Sequence, residues 1–223
     1  MRSRAPSAGF TLIEIIVVLA VVSALLVALA PAAFTYIRDA QVTQAQNDAN
    51  RIAEAIGKFV QDTGVPPYKN NTTTASPKSQ VKVTNTDFEC LVSDTGFDFT
   101  TASDLTTNDS WTGGTGAVTC QSGSATRDTL ENHLITNTPN SAGTARAYIA
   151  TGKNAWKGPY LPSIPSDPWG NKYLVNIGKT DPSVSKGVWV ISAGPNGNLE
   201  TASDASNTSS ISAGGDDIIA RVR

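Results

Sequence analysis

A single carboxylate stands at the start of a long apolar run in this sequence. Glu14 precedes residues 15–37, a stretch that contains no charged side chain. An acidic residue at the centre of a membrane costs roughly 2.5 to 3.5 kcal/mol, so this carboxylate needs a partner. A cleavage between Gly9 and Phe10 would place a new α-amino group four residues before Glu14. The residues therefore predict that this carboxylate is paired; an acid that reaches the membrane interface unpaired is the alternative.

The sequence offers few groups for catalysis. His133 is its only histidine, and no Ser/His/Asp, Cys/His or zinc-ligand spacing can be built around it. We expect it to occupy a surface or half-buried position. The protein is therefore predicted not to be an enzyme.

Two cysteines, Cys90 and Cys120, remain to be explained. Because the N-terminal residues indicate export to a place where disulfides persist, one bond between them is the expected use. Two free buried thiols are the alternative. Only 16% of the residues are charged, which agrees with an extracytoplasmic surface. The formal net charge of -2 provides no basic surface, so no nucleic acid is expected as a partner.

The apolar run is long enough to cross a membrane as a helix. Residues 15–37 number 23, which corresponds to about 34 Å of helix. Arg2 and Arg4 precede the run and predict a cytoplasmic N-terminus, with the remainder of the chain outside. Since no clear small-residue cleavage site follows the run, we expect residues 1–9 to be removed as a leader and residues 10–37 to be kept.

An apolar stripe at helical spacing follows the run. Its 3-4-3-4-3 spacing predicts an amphipathic helix over residues 38–64, ended by Gly64, Pro66 and Pro67. Pro31, within the apolar run, is expected to kink or locally unwind the helix. A dimeric coiled coil would show the same stripe, but its shortness favours packing on the protein's own head. The stripe comprises Val42, Ala45, Ala49, Ile52, Ile56 and Phe59.

The remainder, residues 65–223, is predicted to form a globular head. Strand-like segments occur within residues 156–176, 187–200 and 216–222. Three short strands are enough for a small antiparallel sheet that packs against the apolar stripe. The expected fold class is α+β, with a long N-terminal helix on a small C-terminal sheet.

The N-terminal residues resemble the class III signal of the type IV pilin superfamily. The match comprises Gly9, Phe10, Thr11, Leu12, Ile13 and Glu14. In that family a prepilin peptidase cuts after the glycine and methylates the new N-terminus, which here is Phe10. The resemblance implies that Glu14 pairs with the N-terminal amine of a neighbouring subunit, or with its own before assembly. Pro31 falls where the family carries a helix-kinking proline, in a segment that melts on assembly.

The head resembles the major, G-type pseudopilin of type II secretion. Four of its segments follow one another in the family's order, and residues 128–139 look like the family's short second helix. The resemblance covers residues 1–67 and 128–223. The matching residues are Gly158, Pro159, Tyr160, Leu161, Asp167, Pro168, Trp169, Gly170, Asn171, Tyr173, Ser192, Gly194, Pro195, Gly197, Asp216, Asp217 and Ile218.

The resemblance implies a structural subunit of a helical homo-oligomeric filament. Such a subunit is processed by prepilin peptidase, and an inner-membrane platform assembles it together with minor pseudopilins. The expected location is the inner membrane, with the N-terminus cytoplasmic and the head periplasmic, and the expected task is type II protein secretion. A surface type IV pilin for adhesion, motility or DNA uptake is the alternative.

Two features depart from the family's pattern. Residues 69–126 form an insertion rich in Thr, Ser, Asn and Gly that contains both cysteines. It is either a functional display or a surface loop without a task. The family also holds calcium in the loop between the last two strands, which implies Asn196, Asp204, Asp216 and Asp217 as ligands here. Asn196 replaces the usual aspartate and adds no charge, so we expect weaker calcium binding, with a hydrogen-bonded turn as the alternative.

Overall fold

The structure, a computed structural model, describes most of the long helix and of the head. The described residues are 10–64, 66–67, 90–101, 120, 127–141, 147–177, 188–202 and 213–222. Gly9 and Asp204, both predicted site residues, lie outside them, as does much of the insertion. The chain divides into two compact units, residues 1–41 and 42–223.

Helix α1 (Leu12–Thr63) has 52 residues and is long and apolar enough to cross a membrane. It is helical through Pro31, so the local unwinding expected there is not seen. The hydroxyl of Thr35 donates to the carbonyl of Ala32 at 2.8 Å, one turn after the proline. In the first unit every residue from Phe10 to Ala40 is exposed.

The part of α1 in the second unit carries the predicted stripe. Val42 is 46% exposed, whereas the other five stripe residues, Ala45 to Phe59, are at most 2% exposed. The stripe therefore packs on the protein's own head, as predicted. The helix ends at Thr63, and Gly64 follows with φ +73°, a left-handed conformation that glycine adopts without strain.

In the part of the head that the structure describes there is one sheet of five strands and one of two. The larger sheet has the order β3-β1-β4-β5-β7, and β2 pairs with β6. Pairs β1–β3 and β2–β6 are parallel, and the others are antiparallel. The strands are β1 (Cys90–Val92), β2 (Thr100–Thr101), β3 (Arg127–Thr129), β4 (Tyr173–Val175), β5 (Trp189–Ser192), β6 (Asn198–Leu199) and β7 (Ile218–Arg221).

The architecture is the predicted α+β fold with a larger, mixed sheet. Strands β4, β5 and β7 correspond to the three predicted segments and are antiparallel, as expected. The insertion adds β1, which lies between β3 and β4, so this part of it belongs to the sheet and is not a display on the surface. The predicted second helix is present but short, as α2 (Leu130–Leu134) and a 3-10 turn at Pro139–Ser141.

Both faces of the larger sheet are buried. Because successive strand residues point to opposite faces, β4 directs Tyr173 and Val175 towards the cluster that contains the α1 stripe. Leu174, between them, points to a second cluster on the other face, together with the cystine. That second cluster comprises Cys90, Val92, Cys120, Leu174, Trp189, Ile191, Ala193 and Leu199.

Candidate functional site

The start of α1 holds Glu14 in a local hydrogen-bond arrangement. Its Oε2 accepts from the backbone N–H and from the hydroxyl of Thr11, both at 3.4 Å. A Thr-x-x-Glu pattern at a helix start is a capping box, in which the acid satisfies a backbone donor that the helix leaves unpaired. The positive end of the helix dipole also favours a carboxylate at this position. Glu14 thus has a partner in its own chain, which the Thr-x-x-Glu pattern could have indicated from the sequence.

The exposed apolar surface of α1 begins directly beside this carboxylate. Phe10 is 80% exposed and Leu12 is 77% exposed, and the exposed run includes Pro31. An apolar surface of this extent marks contact with a membrane or with other protein chains. The predicted processing residue Phe10 and the predicted assembly residues Glu14 and Pro31 all lie on this surface.

The loop that follows β5 brings two of the predicted calcium ligands together. The backbone N–H of Asn196 donates to Oδ2 of Asp216 at 3.3 Å, and its own Oδ1 accepts from the N–H of Asn198 at 2.6 Å. Gly194 has φ +62°, and a Cβ atom there would overlap the carbonyl of Asp216. Only glycine therefore permits this close approach of the turn to Asp216.

Asp217 joins the two ends of the loop after β5 by hydrogen bonds. It is 5% exposed, and its Oδ2 accepts the N–H groups of Glu200 at 2.9 Å and Thr201 at 2.6 Å. The Glu200 side chain in turn accepts the N–H of Asp216 at 3.1 Å. Glu200 was not among the predicted ligands, although its position in the loop could have indicated it.

The acidic residues of the loop have oxygen atoms that suit a hard cation. Oδ1 of Asp216 and Oδ1 of Asp217 are buried and have no hydrogen-bond partner. Burial raises the pKa of both carboxyls, and the nearby charge of Glu200 raises each pKa further. Calcium accepts such oxygens, so the donor chemistry fits this ion. Within the described ranges no three acidic, histidine or cysteine side chains converge on one metal position.

The Asp-Pro-Trp-Gly-Asn segment forms a turn beside this loop. Asp167 is 3% exposed; its Oδ1 accepts the N–H groups of Trp169 at 3.0 Å and Asn171 at 2.7 Å, and its Oδ2 accepts the hydroxyl of Ser192 at 2.7 Å. Burial raises the pKa of this carboxyl. Since the side-chain amide of Asn171 donates to the carbonyl of Gly194 at 3.1 Å, the turn positions the loop.

The position expected for His133 was wrong. Its side chain is fully buried, with Nε2 at 2.9 Å from Oδ2 of Asp128 and Nδ1 at 2.6 Å from the hydroxyl of Tyr148. The five-residue α2 presents Leu130, His133 and Leu134 to the core. A buried imidazole needs such polar partners, so the network serves the packing of α2.

The predicted disulfide is present. Cys90 and Cys120 are bonded, with their Cα atoms 5.4 Å apart, and both are fully buried. Arg127 donates to the carbonyl of Cys120 at 3.0 Å and forms an ion pair with Asp98.

Comparison with known families gives two matches that flank the insertion. The family model described as prokaryotic N-terminal methylation motif matches residues 4–30, and the one described as type II secretion system (T2SS), protein G matches residues 132–210. Comparisons with curated proteins and with solved structures give no match. The first match contains the segment of Glu14, and the second contains the Asp167 turn and the loop at Asn196. These matches support a type IV pilin-like protein of the G-type pseudopilin kind, a family whose role is structural and not enzymatic.

Proposed function

We propose that this pseudopilin polymerises through α1 into a pseudopilus that drives type II protein secretion. The observation that carries the proposal is the exposed apolar half of α1, which contains most of the methylation motif and precedes the part of the chain that matches protein G. Polymerisation would replace contacts between α1 and lipid by contacts between helices. Addition of subunits at the base would then move the filament and push an exported protein outward.

Processing prepares the N-terminus for assembly. Prepilin peptidase would cut after Gly9 and methylate the amine of Phe10, one residue before Thr11. Among the described residues, Thr11 holds the Glu14 carboxylate through two contacts of 3.4 Å. An amine offers Glu14 a full positive charge in a medium where charges interact more strongly than in water. Docking of a subunit would exchange the Thr11 contacts for this ion pair and so favour the correct register.

The proposed topology follows from the order of charge and apolar residues. Arg2 and Arg4 precede α1 and keep the N-terminus in the cytoplasm. The head then lies on the periplasmic side of the inner membrane, where a disulfide can form. The partners proposed are further copies of this chain, prepilin peptidase, an inner-membrane assembly platform and minor pseudopilins.

Calcium at the loop after β5 is part of the proposal. Asp216 and Asp217 would hold the ion through their unpartnered Oδ1 atoms, and Glu200 lies close enough to add its charge. Bound calcium would neutralise these carboxylates. The role of Asn196 and of Asp204 as further ligands remains a prediction.

The processing step is tested by the intact mass of the protein from its own host. A chain that starts at methylated Phe10 supports the proposal, and a chain that still starts at Met1 contradicts it. Deletion of the gene then separates the two kinds of filament. Loss of protein secretion supports a pseudopilus, whereas loss of adhesion, motility or DNA uptake with normal secretion supports a surface pilin.

A further inference from the structure

We propose that the insertion clamps the loop after β5 and that the disulfide keeps this clamp closed. The contact is the parallel pair of β2, from the insertion, and β6, from the loop. The N–H of Thr100 donates to the carbonyl of Gly197 at 3.0 Å, and the hydroxyl of Thr100 contacts the side chain of Asn198. Two residues further on, Glu200 and Thr201 bind Asp217.

The segment that carries β2 is anchored immediately before the strand. Phe97 donates its N–H to the carbonyl of Gly170 at 2.8 Å and accepts the N–H of Lys172 at 3.0 Å. Asp98 forms an ion pair with Arg127, whose side chain is 9% exposed. Because these contacts hold the segment to the turn and to β3, β2 has a defined position from which to bind the loop.

The disulfide between Cys90 and Cys120 holds this arrangement together. Cys90 belongs to β1, and Cys120 supplies the carbonyl that accepts from Arg127. Both cysteines pack in one buried cluster with Leu199 of β6. The covalent bond therefore fixes the position of the Cys120 carbonyl that binds Arg127. It also fixes the buried apolar cluster on which Leu199 packs.

Reduction would open the clamp. The bond accepts two electrons and two protons from a dithiol, which becomes a disulfide, and leaves two thiols that can move apart. The loop would then lose the support of β2, while the antiparallel core of β4, β5 and β7 would remain. The reverse step needs a thiol oxidant; with the topology of the proposed function, this oxidant acts outside the cytoplasm, and the clamp closes only after export. The clamp does not require calcium.

The test is amide hydrogen exchange of the full chain in detergent micelles, with a calcium chelator present. Oxidised protein is compared with protein reduced by dithiothreitol and with a Cys90→Ala, Cys120→Ala variant. We expect exchange at the amides of Thr100 and Glu200 to accelerate by about tenfold, the change that follows loss of one good hydrogen bond. Exchange at Val190 in β5 should not change. Unchanged exchange at Glu200, or equal acceleration at Val190, would overturn the clamp.

A second variant opens the clamp without touching the cysteines. Thr100→Pro removes the N–H that donates to Gly197, and Thr100→Ser keeps both the N–H and a hydroxyl as the matched control. We expect Thr100→Pro to accelerate exchange at Glu200 as reduction does, and Thr100→Ser to leave it unchanged. Normal exchange at Glu200 in Thr100→Pro contradicts the proposal.

Discussion

Replacement of Asp217 by Asn separates two roles of one carboxylate. Its Oδ2 accepts the N–H groups of Glu200 and Thr201, while its Oδ1 is buried without a partner. The amide of Asn has the same shape and can present its oxygen to the two N–H groups. The variant also removes a buried charge close to Glu200. Without calcium we therefore expect Asp217→Asn to be as stable as the wild type or slightly more stable, but to lose its response to calcium.

The size of the calcium response follows from binding linkage. At a free calcium concentration 100 times the dissociation constant, one bound ion stabilises the fold by about 2.7 kcal/mol. For a unit the size of this head, 1 kcal/mol corresponds to about 2 to 4 °C in melting temperature. The wild type should therefore melt about 5 to 11 °C higher in calcium than in chelator, whereas Asp217→Asn should melt at nearly the same temperature in both.

The assay is thermal unfolding of the full chain in detergent micelles, followed by circular dichroism. Asp94→Asn is the matched control, because Asp94 is exposed and the substitution removes the same charge. An equal calcium shift in Asp217→Asn would refute the role of Oδ1. The absence of a shift in the wild type would refute calcium binding. A loss of more than about 3 kcal/mol in chelator would refute the argument that Asn keeps the two backbone hydrogen bonds.

Four further predictions test other residues. Asp167→Ala removes the acceptor of three hydrogen bonds and should destabilise the head by about 3 to 5 kcal/mol in urea unfolding, while a loss of similar size in Asp167→Asn would contradict this reasoning. Burial raises the pKa of Glu131, Asp167 and Asp217, so the folded head binds these protons more tightly than the unfolded chain does. The stabilisation of the fold that results is complete below an ordinary carboxyl pKa and is lost as the pH rises through the raised pKa. In chelator the melting temperature should therefore increase from pH 7 to about pH 5, and a decrease would contradict this assignment. Glu14→Ala should insert into the membrane but assemble poorly, and normal filaments in electron micrographs would exclude the ion pair. Gly9→Ala should block cleavage, and a product of mature size would exclude this processing site.

Local features of the fold could be predicted because the residues that indicate each feature lie close together in the sequence. The apolar stripe of α1 repeats with the period of a helix, and a glycine and two prolines follow its end. The strands β4, β5 and β7 are short, largely apolar segments separated by turn residues. For this reason the α+β class, the helix boundaries and the antiparallel core could be derived without coordinates.

The contribution of the insertion could not be predicted in this way. Strand β1 has three residues and pairs in parallel with β3, whose partner residues are 37 positions further along the chain, from Cys90 to Arg127. A three-residue strand shows no periodicity, and its pairing depends on contacts between distant segments. The burial of His133 was missed for a similar reason, because Asp128 and Tyr148 become its partners only after folding.

The sequence by itself determined the apolar helix, its leader motif and the acid at its start, since each depends on neighbouring residues and on the membrane as solvent. The tertiary structure alone decided that part of the insertion completes the sheet and that Glu200 joins Asp216 and Asp217. Those contacts depend on a chain that returns to the same place from distant positions, and the free energy of such contacts is gained only when the whole head packs.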